Sequence, residues 1–82
     1  VNGLSNFSEV AKVIGSKQTL KAVKEGRAKQ VILAQDTDEK LKMEIKNACE
    51  HYQVVIEYFD TKHGLGIAVG IDRAAAVVAI LK

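Results

Sequence analysis

Val31-Ile32-Leu33-Ala34 is an uninterrupted apolar run, with Gln30 before it and Gln35-Asp36 after it. A run this short and apolar at every position suits a strand covered on both faces. Downstream, Leu41, Ile45, Ala48, Cys49 and Tyr52 recur at helical spacing and predict an amphipathic helix from about Asp38 to His51. Val54-Val55-Ile56-Glu57-Tyr58-Phe59 is rich in β-branched and aromatic residues, which predicts another strand. The chain closes on Ala76-Val77-Val78-Ala79-Ile80-Leu81, a second segment of the central-strand type.

With no proline present, glycine is the main punctuation on either side of this block. Upstream, Asn6 followed by Glu9 makes a capping box for a short helix ending near Lys12, and Val13-Ile14 forms a very short strand running into Gly15. Ser16 is placed to cap a helix from Lys17 to Glu25, with Gly26 as its carboxyl cap and Leu20 and Val23 facing inward. Thr61 caps a short, glycine-rich helix through Leu65 and Ala68. Strands and helices alternate throughout, so the expected fold is α/β: a three-layer α/β/α sandwich with a small mixed four-stranded sheet, residues 1–82 forming one domain.

Composition narrows the function. The 82 residues are 48% hydrophobic and 27% charged, which is globular and not disordered composition. No apolar run approaches the roughly 20 residues of a membrane span, and nothing at the start resembles a signal peptide, so a cytoplasmic protein without a membrane partner is expected; it is also expected to be monomeric. Cys49 is the only cysteine, which excludes an internal disulfide and a cysteine zinc cluster; a buried, inert thiol is expected. His51 and His63 have no nucleophile at motif spacing. Asp36, Asp38 and Glu39 lack the glycine and distal glutamate of a calcium loop and are expected to cap the helix that begins beside them. The glycines at 64, 66 and 70 do not fit a dinucleotide fingerprint. These readings predict no enzyme, no metal and no cofactor.

Charge is distributed unevenly. Residues 1–30 hold six basic and two acidic side chains, whereas the remaining 52 hold six basic and eight acidic. Lys17 sits in the first turn of its helix, where the dipole disfavours a cation by roughly 0.3–1 kcal/mol. Lys21 stacks on it one turn later, at a further cost of about 0.2–0.5 kcal/mol, and Lys24 extends the same face. Free N–H groups, a positive dipole end and two lysines make a phosphate site, the alternative being a solvated basic face. Gln18 both donates and accepts, and so is able to read a base edge. Ile71, between Gly70 and Asp72, either offers an apolar surface to an unstacked base or turns into the core.

Gly15-Ser16-Lys17-Gln18-Thr19-Leu20-Lys21-Ala22-Val23, the strand ending Ala34-Gln35-Asp36, Leu65-Gly66-x-Ala68-x-Gly70-Ile71 and Ala74-Ala75-Ala76 occur in an order that resembles the L7Ae/L30e ribosomal-protein family. The resemblance covers about Val10 to Leu81. It implies a protein that binds kink-turns, RNA internal loops in which tandem sheared G·A pairs follow a sharply bent three-nucleotide bulge. By that resemblance, Gly15 and Ser16 let the backbone approach RNA, Lys17 and Gln18 contact guanine edges, and Lys21 pairs with phosphate. Ile71, Asp72 and Arg73 cover the flipped-out bulge nucleotide, and Asp38 and Lys62 make peripheral contacts. Archaeal and eukaryotic members commonly carry Asn-Glu where this chain has Lys17-Gln18, a pair that resembles the bacterial branch. The implied partner is structured RNA, ribosomal RNA or a riboswitch; a protein-interaction module using the basic helix without kink-turn specificity is the alternative.

Overall fold

The structure, a computed structural model, describes residues 11–82. The elements run β1 (Lys12–Ile14), α1 (Ser16–Lys24), β2 (Ala28–Ala34), α2 (Glu39–Tyr52), β3 (Val55–Phe59), α3 (Lys62–Ala68) and β4 (Val77–Leu81). They build one four-stranded sheet in the order β1-β4-β2-β3. β4 is antiparallel to both β1 and β2, and β3 is parallel to β2, so β1, β2 and β3 all point the same way. Each is followed directly by a helix. All three helices therefore begin at the same end of the sheet, where β4 starts.

The central strands alternate their side chains between two cores, as the pleat requires. Val31 and Leu33 of β2 and Val77 and Ala79 of β4 pack with Ala22 and Val23 of α1 and Ile45 and Cys49 of α2. Ile32 and Ala34, with Val78 and Ile80, face the other way and meet Leu65 and Val69 at α3. The expected mixed α/β sandwich is thus present, with α1 and α2 on one face and α3 on the other. Each fully buried Ile, Leu or Val stabilises the fold by roughly 1.5–3 kcal/mol relative to exposure.

Several boundaries differ from the sequence expectations, for identifiable reasons. The helix expected from Asn6 lies almost wholly outside the described residues, but its expected end is corrected: Lys12 opens β1, pairing with Ile80. Ser16 is not the cap of α1; it is the first helical residue, and Gly15 is the cap. The other end of α1 falls one residue earlier than expected: the helix ends at Lys24 with Glu25 as its cap, and Gly26, just beyond, takes φ 74°. There Gly26 N–H donates to the Val23 carbonyl at 3.2 Å and Arg27 N–H to the Ala22 carbonyl at 2.9 Å. β2 begins three residues earlier than the apolar run, because pairing with β4 carries the polar segment Ala28–Gln30 into the sheet through an irregularity. Tyr52, counted in the apolar stripe of α2, is 44% exposed at the helix end.

Candidate functional site

The site is built where the carboxyl ends of β1, β2 and β3 meet the start of β4, the end at which open α/β sheets usually take their ligands. Gly15 turns the chain from β1 into α1 with φ 106° and ψ 158°, a region open essentially to glycine alone. Nothing lies within 4 Å of where a Cβ would stand, so the constraint is the backbone and not the space. No side chain caps α1. The first-turn N–H groups that a helix cannot satisfy internally are left for an outside acceptor. Thr19 N–H makes the first turn's bond, to the Gly15 carbonyl at 2.9 Å.

Around this opening Lys17, Gln18 and Lys21 are exposed, while Gly15 and Ser16 are half-buried. Among the described residues neither Lys17 nor Lys21 forms an ion pair. Inward of them, Thr19, Ala22 and Val23 are buried, which fixes the roll of the helix and turns the lysines outward. The polar side of α1 is thus presented by the way its other side packs.

The remaining expected site residues fall at the same end of the sheet. Asp38 caps α2, its carboxylate accepting the Leu41 N–H at 3.2 Å, and Lys62 is the first residue of α3. Asp72 and Arg73 are exposed on the segment that enters β4. Ile71 is half-buried and packs against the core beneath α3, as the inward-turning reading of it expects. The segment follows Gly70 at φ 84°, and Ile71 N–H donates to the Gly66 carbonyl at 3.0 Å.

Backbone bonds join these loops. Gly15 N–H donates to the Val77 carbonyl at 2.9 Å, and the adjacent Ala76 carbonyl accepts from Ala34 N–H at 2.9 Å. Thr37 Oγ1 donates to the same Ala76 carbonyl at 3.3 Å. The start of α1 and the turn before α2 are therefore anchored on two consecutive residues, Ala76 and Val77, where the preceding segment enters β4.

Of the three acids expected to cap α2, Asp38 does so; Asp36 is corrected, because its Oδ1 accepts the Lys62 N–H of α3 at 2.8 Å. That partner lies 26 residues away, and no local spacing announces it. Among the described residues no group of three or more His, Cys, Asp and Glu is placed to hold a metal, and no helix is long and apolar enough to cross a membrane.

The model of the ribosomal protein L7Ae/L30e/S12e/Gadd45 family matches residues 8–82. An RNA-binding protein of Caldanaerobacter subterraneus subsp. tengcongensis is 46% identical over 68 residues, covering 83% of each chain. An RNA-binding protein of Staphylococcus aureus is 32% identical over 79 residues, covering 96% of this chain and 94% of the relative. Among solved structures, a Giardia lamblia 15.5kD RNA binding protein superposes with a TM-score of 0.82 at 32% identity, over 88% of this chain and 61% of that one. A protein of unknown function from Bacillus halodurans C superposes with a TM-score of 0.81 at 27% identity, over 87% of this chain and 71% of that one. With a family model spanning nearly its whole length and a fold that agrees, this chain belongs to the ribosomal protein L7Ae/L30e/S12e/Gadd45 family.

Proposed function

We propose that this chain binds structured RNA and stabilises the kink-turn conformation, using the start of α1 and the Ile71–Arg73 segment as its two contact elements. The observation that carries the reading is their convergence: an uncapped, lysine-bearing helix start, bonded through Gly15 to Val77 of β4, and an exposed loop that leads into the start of the same strand. Relatives named as RNA-binding proteins support it. In this reading Gly15 and Ser16 bring backbone close to RNA, Lys17 and Gln18 meet guanine edges, and Lys21 neutralises a phosphate. Asp38 and Lys62 flank the contact, and Ile71, Asp72 and Arg73 cover an extruded base.

The mechanism is differential binding. A kinked RNA presents a splayed groove and an extruded nucleotide that a straight duplex lacks, and a protein shifts the equilibrium only by the difference in its affinities for the two. No bond is made or broken, in keeping with a family of non-enzymatic RNA-binding proteins.

The test is a titration against a standard kink-turn and against the same RNA with its G·A pairs converted to Watson–Crick pairs. The standard RNA is expected to bind at least about tenfold more tightly, the range of one good bidentate base contact or more. Gln18→Ala should shrink that ratio, whereas Lys21→Ala should weaken both RNAs alike and reduce the salt slope by about one. Equal affinity of the wild-type protein for the two RNAs overturns the reading and favours a basic helix that docks an acidic partner.

A further inference from the structure

Asp36 is an exposed side chain in the turn after β2. It nevertheless makes a bond to a residue 26 positions away: its Oδ1 accepts from the first N–H of α3, Lys62, at 2.8 Å. Thr61 already caps that helix through the Gly64 N–H at 2.9 Å. Asp36 adds a second acceptor and a negative charge beside the positive end of the helix.

From Lys62 the connections lead to the loop. Its carbonyl accepts the Ala75 N–H at 3.0 Å, closing the far end of the 71–74 segment, while Ile71 N–H donates to Gly66 at the near end, also at 3.0 Å. Between them the Arg73 carbonyl lies so close over Gly66 that a Cβ there would stand 1.8 Å from it. The loop is thus held to α3 by two backbone hydrogen bonds and lies close against Gly66 between them. What fastens the start of α3 to the turn before α2 is Asp36, and its neighbour Thr37 bonds the Ala76 carbonyl beside the anchor of Gly15.

We propose that Asp36 is a positioning residue: through Lys62 and α3 it sets the placement of the Ile71–Arg73 loop relative to the start of α1, so that both engage one RNA together. The inference rests on the kink-turn reading. Two contact elements held at fixed spacing bind with little further ordering, whereas a loose loop must be ordered at the expense of affinity. The bonded atoms are at the surface, so loss of the carboxylate leaves both cores intact.

The test compares wild type, Asp36→Ala and Asp36→Asn, the last keeping a side-chain oxygen acceptor. Without RNA, Asp36→Ala should speed amide exchange at Ile71 and Ala75 and leave Gly15 and Thr19 unchanged, and Asp36→Asn should restore the wild-type pattern. With RNA, three ligands are used: a standard kink-turn, the same RNA with an abasic site at the extruded bulge position, and the G·A-converted RNA. Asp36→Ala should bind the standard RNA about tenfold more weakly, the size of one lost charge-assisted hydrogen bond. It should lose the wild-type penalty for the abasic site while keeping the penalty for G·A conversion. Unchanged exchange at Ile71 and Ala75, or an abasic penalty that survives in Asp36→Ala, overturns the proposal. So does an equal loss of both penalties, which a general weakening of the fold produces. If wild type does not distinguish the G·A-converted RNA, the kink-turn reading fails by itself, and the exchange measurement still decides whether Asp36 places the loop.

Discussion

Gly15 holds φ 106° and ψ 158° with open space around its missing side chain, so the cost of substituting it is backbone strain alone. Gly15→Ala should lower stability by about 1–3 kcal/mol, measured by urea unfolding, and weaken RNA binding by displacing the first turn of α1. Thr19, one turn along, makes the opposite prediction. Its side chain is wholly buried and its Oγ1 has no hydrogen-bond partner. Thr19→Val keeps the shape and removes the unsatisfied hydroxyl, so stability should rise by about 1–3 kcal/mol, with RNA affinity unchanged in the same titration. Sequence reading located this helix start by its lysines but assigned the cap to Ser16. A serine is a good cap by type; the positive φ of the glycine before it, which decides the matter, is a property of the folded backbone.

At the scale of elements, α3 is informative because its two glycines face different surroundings. A Cβ at Gly66 would stand 1.8 Å from the Arg73 backbone carbonyl, whereas one at Gly64 would stand 3.0 Å from the Phe59 ring and the Thr61 hydroxyl. Gly66→Ala should therefore displace the 71–74 segment, lower stability by about 1–3 kcal/mol and weaken RNA binding, while Gly64→Ala should cost less than that in a thermal melt and leave binding nearly intact. The elements themselves were legible in outline. Val31–Ala34 reads as a buried strand because both its faces are covered, and Ile45 and Cys49 mark the buried stripe of α2. The insertion of β4 between β1 and β2 was not legible, since the order of strands depends on long-range pairing that leaves no spacing signal. The same holds for Asp36, whose partner on α3 is brought near only by the parallel pairing of β2 with β3.

At the scale of the whole molecule, the expected inert thiol is found in the core. Cys49 is 1% exposed, and burial pushes its pKa up from 9.0 to about 11. Well below pH 9 the thiol is protonated in folded and unfolded chains alike, and stability is independent of it. As pH rises from 9 to about 11 the unfolded thiol ionises while the folded one keeps its proton, so unfolding releases a proton and stability falls. The loss should reach about 2–3 kcal/mol in denaturant titrations across that window, and Cys49→Ala, though less stable at neutral pH, should lack this part of the slope. The direction of β1, β2 and β3 has a second global consequence: every expected contact residue, on four separate segments, arrives at one end of the sheet. The sequence supplied the residues, and only the topology supplies their assembly.

That assembly is tested most directly by the amide nitrogen–proton spectrum of the protein as a standard kink-turn RNA is added. The largest shift changes are expected at Gly15–Lys21 and Ile71–Arg73, with small ones at Asp38 and Lys62 and none along the outer edge of β3. Changes concentrated at Val55–Phe59, or spread evenly over the molecule, would contradict an RNA-binding face at this end of the sheet.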